Sequence, residues 1–120
     1  RSWLLGVSID ERKQVGQLNY IFCDDNYLHK LNLQFLNHDT YTDIITFDNT
    51  VGDLLSGDVY ISVERVKENA LNFGVTFREE LSRVIVHGLL HLCGYSDKSE
   101  QSQEQMRKKE NEHLGPWLSA

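Results

Sequence analysis

The stretch from Phe77 to Asp97 limits what this chain can become more than any other. From Leu81 onward it is apolar on almost every helical face (Leu81, Val84, Ile85, Val86, Leu89, Leu90, Leu92). A helix apolar all round belongs in the middle of its domain. His87 and His91 sit inside that run, four residues apart. On a helix they lie about 40° apart around the axis and about 6 Å apart along it, where two imidazoles can reach one metal ion. A lone histidine in such a helix reads as a hydrogen-bonded core residue. Two are harder to satisfy: burying unpartnered imidazoles costs about 1–3 kcal/mol each, and a metal offsets that cost. Gly94 follows, where glycine commonly ends a helix in the left-handed conformation. A chain that turns back there can bring Asp97 under both histidines.

Asp97 has two readings. A series of His, His four later, Gly seven later and a ligand ten later is a known metal-site spacing. Asp97-Lys98-Ser99-Glu100 also fits an N-cap with its capping-box glutamate, opening a final helix. A carboxylate has two oxygens and can do both. Cys93 points more than about 100° away from the histidines and reads as a small buried hydrophobe. His29 and His113 have no partner at metal spacing and read as surface residues, as does His38 in its polar loop. Glu80 and Arg83 share the face of His87, seven and four residues before it. Such charges are usually solvated, with one of them open to supporting the site or meeting substrate.

The rest of the chain supplies a frame for that helix. Residues 2–12 read as a short helix, with Trp3, Leu4, Val7 and Ile9 near one face. Gln17 to Cys23 reads as a strand; Asp24-Asp25-Asn26 then caps a helix with Tyr27, Leu28, Leu31, Phe35 and Leu36 as its apolar stripe. A polar loop, Asn37-His38-Asp39-Thr40, leads to strands over Thr42–Phe47 and Gly57–Val63, joined by a turn-rich irregular linker. Glu64 to Phe73 reads as a helix ending near Gly74, with Val66, Ala70 and Phe73 inward. Thr76-Phe77-Arg78-Glu79 fits a capping box for the histidine helix. Ser99 to Leu114 reads as a charged amphipathic helix with Met106, Glu110 and Leu114 inward, ended by Gly115-Pro116. The irregular interleaving predicts one α+β domain over residues 1–120, a small mixed sheet covered by helices with the metal motif on a central buried helix.

Composition bounds the rest. At 120 residues, 40% apolar and 25% charged, the chain has the balance of a globular domain. No apolar run approaches the roughly 18 residues of a membrane span, and no signal-like segment opens the chain. The first residue is Arg rather than Met, consistent with a trimmed N-terminus. Cys23 and Cys93 belong to no paired motif, so the expected home is reducing and cytoplasmic. A net charge of −6 argues against indiscriminate nucleic-acid binding but leaves room for a local groove or a metal that attracts phosphate.

Three protein ligands with an open position mark a catalytic metal, whose bound water becomes a nucleophile near neutral pH. Zinc proteases of this spacing carry Glu directly after the first His as general base; here that residue is Gly88, which counts against peptide hydrolysis by that route. The string His87-Gly88-Leu89-Leu90-His91-Leu92-Cys93-Gly94-Tyr95 resembles the signature of the YbeY family, bacterial metal-dependent endoribonucleases of ribosomal RNA maturation. Thr42-Asp43-Ile44-Ile45-Thr46-Phe47, Gly57-Asp58-Val59-Tyr60-Ile61-Ser62, Met106 and Glu110 are similar to its other motifs in the same order, so the likeness spans roughly Asn19 to Leu114.

The resemblance implies a single-strand RNA hydrolase acting on the 3′ region of small-subunit rRNA, with the small ribosomal subunit or its assembly factors as partners and no membrane. It implies His87, His91 and Asp97 as ligands of one divalent ion, Zn2+ first and Mn, Fe or Ni next. Two departures accompany it. The family ends its signature with Asp-His, where this chain has Ser96-Asp97. An aspartate there leaves zinc one unit less positive than a third imidazole would and favours harder metals. The family Arg before the Thr-Asp strand is replaced by Leu36, so cationic help for a phosphodiester would come from elsewhere, with Arg83 or Lys98 as candidates. The competing expectations are a non-catalytic ribosome-assembly protein with a structural or vestigial metal, and a metzincin-like hydrolase of other substrates. No general base can be named from these residues.

Overall fold

A computed structural model describes residues 2–36 and 42–119. The chain runs through α1 (Ser2–Asp10), β1 (Gln14–Cys23), α2 (Asp25–Leu36), β2 (Ile44–Asp48), β3 (Leu54–Ser62), α3 (Val63–Phe73), α4 (Phe77–Leu92) and α5 (Glu100–Leu118). The predicted α+β architecture forms, with a mixed sheet in the order β1-β3-β2. β1 runs parallel to β3, and β2 runs antiparallel to it. The turn-rich linker closes the β2–β3 hairpin. Within β3, Gly57, at φ 150°, brings its backbone so close to the Phe47 carbonyl that a Cβ would lie 2.2 Å from that oxygen.

β3 is the central strand, and Leu55, Val59 and Ile61 are fully buried on it. α4 packs on this face through Val86, Leu89 and Leu90, each with no exposed surface. A Cβ at Gly88 would sit 3.0 Å from Ile44 Cδ1 and Val59 Cγ1. The position after the first histidine therefore faces the sheet, and a protease-type glutamate there would be driven into the core. α3 begins on Ser62, whose hydroxyl accepts the Arg65 N–H, and stops at Gly74 at φ 68°. Thr76 Oγ1 accepts the Glu79 N–H at 3.1 Å and starts α4. α4 packs against both α3 and α5. Among the described residues, no helix is long and apolar enough to cross a membrane.

Several expectations need correction. Ile9 is 70% exposed, and the predicted α2 stripe is largely outside: Tyr27, Phe35 and Leu36 are exposed while Leu28 and Asn32 are buried. Phe35 packs edge-on against Phe47 at the sheet margin instead of entering the core. Phe73 is likewise exposed. The strands are shifted at their ends, β1 beginning at Gln14 and β3 at Leu54, while Val63 starts α3. α5 runs through Gly115-Pro116 to Leu118. Its last turn is kept by Trp117, which stacks on Trp3 at 4.8 Å and donates to Ser82 Oγ at 3.0 Å. Proline there removes one donor near a helix end, a small loss beside that packing. The polar loop with His38 lies outside the described residues.

Candidate metal centre

α4 ends in a Schellman turn, and that turn builds the site. The Gly94 N–H bonds to the His91 carbonyl at 3.0 Å and the Tyr95 N–H to the Leu90 carbonyl at 3.1 Å, with Gly94 at φ 106°. The chain then reverses beneath its own helix. Asp97 arrives with Oδ2 3.4 Å from His87 Nε2 and 3.4 Å from His91 Nε2. The second helix of the pair is capped elsewhere: Ser99 accepts the Ser102 N–H at 3.0 Å, and Ser102 Oγ accepts the Ser99 N–H at 2.9 Å. The Asp97 side chain is therefore not the N-cap, and its backbone carbonyl accepts from Gln103 Nε2 at 3.0 Å.

Each imidazole is anchored through its other nitrogen. His91 Nδ1 lies 3.0 Å from the Tyr95 carbonyl, and His87 Nδ1 lies 2.6 Å from Glu110 Oε2. A carbonyl can only accept, so His91 carries its proton on Nδ1. Burial pushes the Glu110 carboxyl up, but its bonds to His87 and Arg83 and their charges hold it below the usual carboxylate range. Glu110 is thus an acceptor, and His87 donates from Nδ1. In the neutral tautomers, both Nε2 lone pairs converge on a carboxylate oxygen with no hydrogen between them. At 3.4 Å these contacts are longer than good hydrogen bonds. They match the edge of about 3.4 Å expected between donors placed tetrahedrally about 2.0–2.2 Å from a zinc ion. The three donor atoms all lie within 4.8 Å of one another. By geometry and donor chemistry the set fits a divalent cation.

Burial pushes the His87 imidazole down, while the Glu110 bond and charge and the nearby Asp97 and Asp43 carboxylates push it up; the net direction is up. Arg83 donates from Nη1 to Glu110 Oε1 and from Nη2 to Asn111 Oδ1, both at 2.9 Å. The candidate phosphate-binding arginine therefore braces the carboxylate that holds His87. Glu80 is buried rather than solvated, and burial with the Asp43 charge raises its carboxyl. Burial likewise raises Asp43. Cys93 is half-buried at the helix end, and burial pushes its thiol up to about 11, far from a thiolate ligand.

The histidines and Asp97 open into a cleft of about 1140 Å³. α2 and α3 contribute Leu36 and Phe73, α5 contributes Arg107, and Lys98 stands on the loop between α4 and α5. The position of the expected family arginine thus does line the cleft, as leucine. Glu80, which shares the face of His87 in the sequence, lines it, and so does Asp43, which the sequence did not single out as a site residue. The signal for Asp43 was spatial, since it lies on the segment leading into β2, far in sequence from α4. His113, expected at the surface, is buried and bonded to Glu11 at 2.8 Å. It shares the inward face of Met106 and Glu110, a spacing that the sequence does carry.

The family model described as Endoribonuclease YbeY matches residues 4–117. Endoribonuclease YbeY of Flavobacterium johnsoniae is 59% identical over 112 residues, covering 93% of this chain and 81% of that protein. Endoribonuclease YbeY of Christiangramia forsetii is 57% identical over 114 residues, covering 95% and 80%. The solution structure of TM1509 from Thermotoga maritima superposes with a TM-score of 0.68 at 34% identity, covering 98% of this chain and 81% of that one.

Proposed function

The chain belongs to the YbeY endoribonuclease family, and from that premise we propose that it is a metal-dependent hydrolase of single-stranded RNA in which His87, His91 and Asp97 hold the ion. The observation that carries the assignment of ligands is the convergence of two Nε2 atoms on Asp97 Oδ2, each at 3.4 Å, with both Nδ1 atoms engaged elsewhere. Zinc fits the donor set, and the aspartate keeps Mn, Fe and Ni competitive. A bound divalent ion would polarise a phosphoryl oxygen and make a hydroxyl nucleophile available near neutral pH.

The chain's own residues bind and orient. Glu110 and the Tyr95 carbonyl keep the imidazole protons on Nδ1 and present the Nε2 atoms to the cleft. Lys98 and Arg107 are the cations placed to meet phosphates, while Leu36 and Phe73 offer apolar surface to unstacked bases. Arg83 also lines the cleft, with its guanidinium bonded to Glu110 and Asn111, and it steadies the carboxylate that holds His87. With Asp43, Glu80, Asp97 and Glu110 all in the lining, the cleft without its ion repels a polyanion, so RNA affinity should depend on the metal.

The wider reading follows the family: maturation of the 3′ end of small-subunit rRNA, with the small ribosomal subunit or its assembly factors as partners, in the cytoplasm, by one domain spanning residues 1–120. The relatives' name favours it over a non-catalytic assembly protein. The sheet-facing Gly88 speaks against a metzincin-like alternative. The test is cleavage of a single-stranded RNA by the zinc- or manganese-loaded protein beside Asp97→Ala and metal-free controls. Cleavage confined to the loaded wild type is expected. Equal cleavage by Asp97→Ala would remove the aspartate from the site, and none by any form would remove the nuclease reading.

A further inference from the structure

The two histidines are not held alike. His87 is fixed by a side chain, Glu110, on a long helix. His91 is fixed by the Tyr95 backbone carbonyl, on the loop that also carries Asp97. A carbonyl on a loop is only as well aimed as the loop. What aims this one comes from the opposite end of the chain. Tyr95 Oη donates to Glu11 Oε1 at 2.6 Å, across 84 residues of sequence.

Glu11 is itself over-determined. Its side chain is only 8% exposed, and its second oxygen accepts from His113 Nε2 at 2.8 Å, with Lys109 Nζ at 3.5 Å. It sits where α1 ends in a Schellman turn of its own. The Arg12 N–H bonds to the Ile9 carbonyl at 2.9 Å and the Lys13 N–H to the Ser8 carbonyl at 2.8 Å. Arg12 there has φ 60°, the one non-glycine residue with positive φ among those described. A side chain in that conformation is tolerated when its surroundings insist on it. Two helix-ending turns, at Arg12 and at Gly94, are thus joined through Glu11 and Tyr95. The joint is backed by His113, one turn along α5 from the Glu110 that holds His87.

We infer that Glu11 is a positioning residue of the metal centre: by clamping the Tyr95 hydroxyl it fixes the Tyr95 carbonyl, and with it the proton of His91 and the approach of Asp97. The inference rests on the reading of His87, His91 and Asp97 as the ligand set. It assigns Glu11 no contact with ion or substrate. It also predicts an asymmetry, because releasing the clamp frees His91 while Glu110 still holds His87.

The experiment compares wild type with Glu11→Ala, Tyr95→Phe and the double variant, with Trp3→Phe as control. Trp3→Phe loses the bond to the His113 carbonyl at the same α1–α5 junction without touching Glu11. Zinc affinity is read by chelator competition, and the ring-nitrogen resonances of both histidines by NMR on the metal-free proteins. Outer partners of metal-bound histidines are worth about 10–100-fold in affinity, and this indirect one belongs at the lower end. Glu11→Ala and Tyr95→Phe should each weaken zinc binding about tenfold, with the double variant no worse than Glu11→Ala, since both single variants break the same Tyr95–Glu11 bond. His91 should shift toward averaged tautomers while His87 stays fixed. Tyr95→Phe removes a single oxygen and keeps the test open if Glu11→Ala does not fold. Unchanged affinity and an unchanged His91 in Tyr95→Phe would overturn the inference, as would an equal loss in Trp3→Phe. His91→Ala is the separate check on the ligand set. If it binds zinc normally, the site reading fails, and the His91 resonances of Tyr95→Phe still judge the clamp.

Discussion

Among the described residues, two clusters bring histidine and carboxylates within 4.8 Å of one another, and they are built in opposite ways. In one, Glu11, Glu112 and His113 are tied by contacts of 2.8 Å from His113 to Glu11 and 3.2 Å from Lys109 to Glu112, with Tyr95 adding a bond of 2.6 Å to Glu11. Its acceptors face donors, and the cluster is a brace. In the other, Asp97 Oδ2 stands 3.4 Å from Nε2 of His87 and of His91, with the histidine protons drawn away to Glu110 and Tyr95. Its acceptors face one another across a gap that opens into the cleft. Nearness of ligand-type residues is common to both. The direction of the protons separates them.

The largest effects are expected at the histidines of the second cluster. His91→Ala or His87→Ala should abolish zinc binding, a larger loss than any change in the surrounding shell, as read by metal analysis after dialysis. Retained zinc would place the ion elsewhere. Glu110→Gln comes next. It should lower zinc affinity about 10–100-fold by giving His87 a weaker, neutral acceptor and leaving Arg83 without its carboxylate, which a chelator titration would register. An unchanged affinity would mean that the 2.6 Å bond does not orient the ligand.

A smaller and more discriminating pair separates ligand from cap. Ser99→Ala should cost about 1 kcal/mol of stability in urea unfolding while sparing zinc affinity. Asp97→Ala should do the reverse. If Asp97→Ala instead destabilises α5 and leaves zinc bound, the aspartate is structural. The smallest effect lies in the brace. Burial raises the Glu11 carboxyl, but the bonds from Tyr95 and His113 and the Lys109 charge bring it below its usual range. A carboxylate depressed on folding stabilises the native state above its unfolded value and loses that contribution as the pH falls through the folded one. Wild type should therefore lose stability faster than Glu11→Gln as the pH drops below about 4.3, with the two curves parallel above it. Parallel curves throughout would deny Glu11 its native partners.

The site was legible in the sequence to the extent that it is local. The two histidines, the glycine turn and Asp97 lie within eleven consecutive residues, and helical geometry places them without knowledge of the fold. The frame was legible where periodicity was strong, as in α4 and β3. It failed where tertiary contacts overrode local signals. Trp117 stacked on Trp3 carries α5 past a proline, and Phe35 meets Phe47 at the margin instead of the core. The supporting shell was the least legible part. Glu110 could be placed inward but not onto His87, and nothing near Tyr95 in sequence announces Glu11. Those pairings are set by how α1 and α5 pack on α4, which no local pattern encodes.

Two imidazoles and one carboxylate are assigned to hold the ion in this protein. X-ray absorption at the zinc edge of the loaded protein tests that assignment most directly. Nitrogen and oxygen neighbours only are expected, at about 2.0–2.2 Å, with the outer-shell scattering of two imidazoles. A sulfur neighbour at about 2.3 Å, from Cys93 or Cys23, or the scattering of fewer than two imidazoles would contradict it.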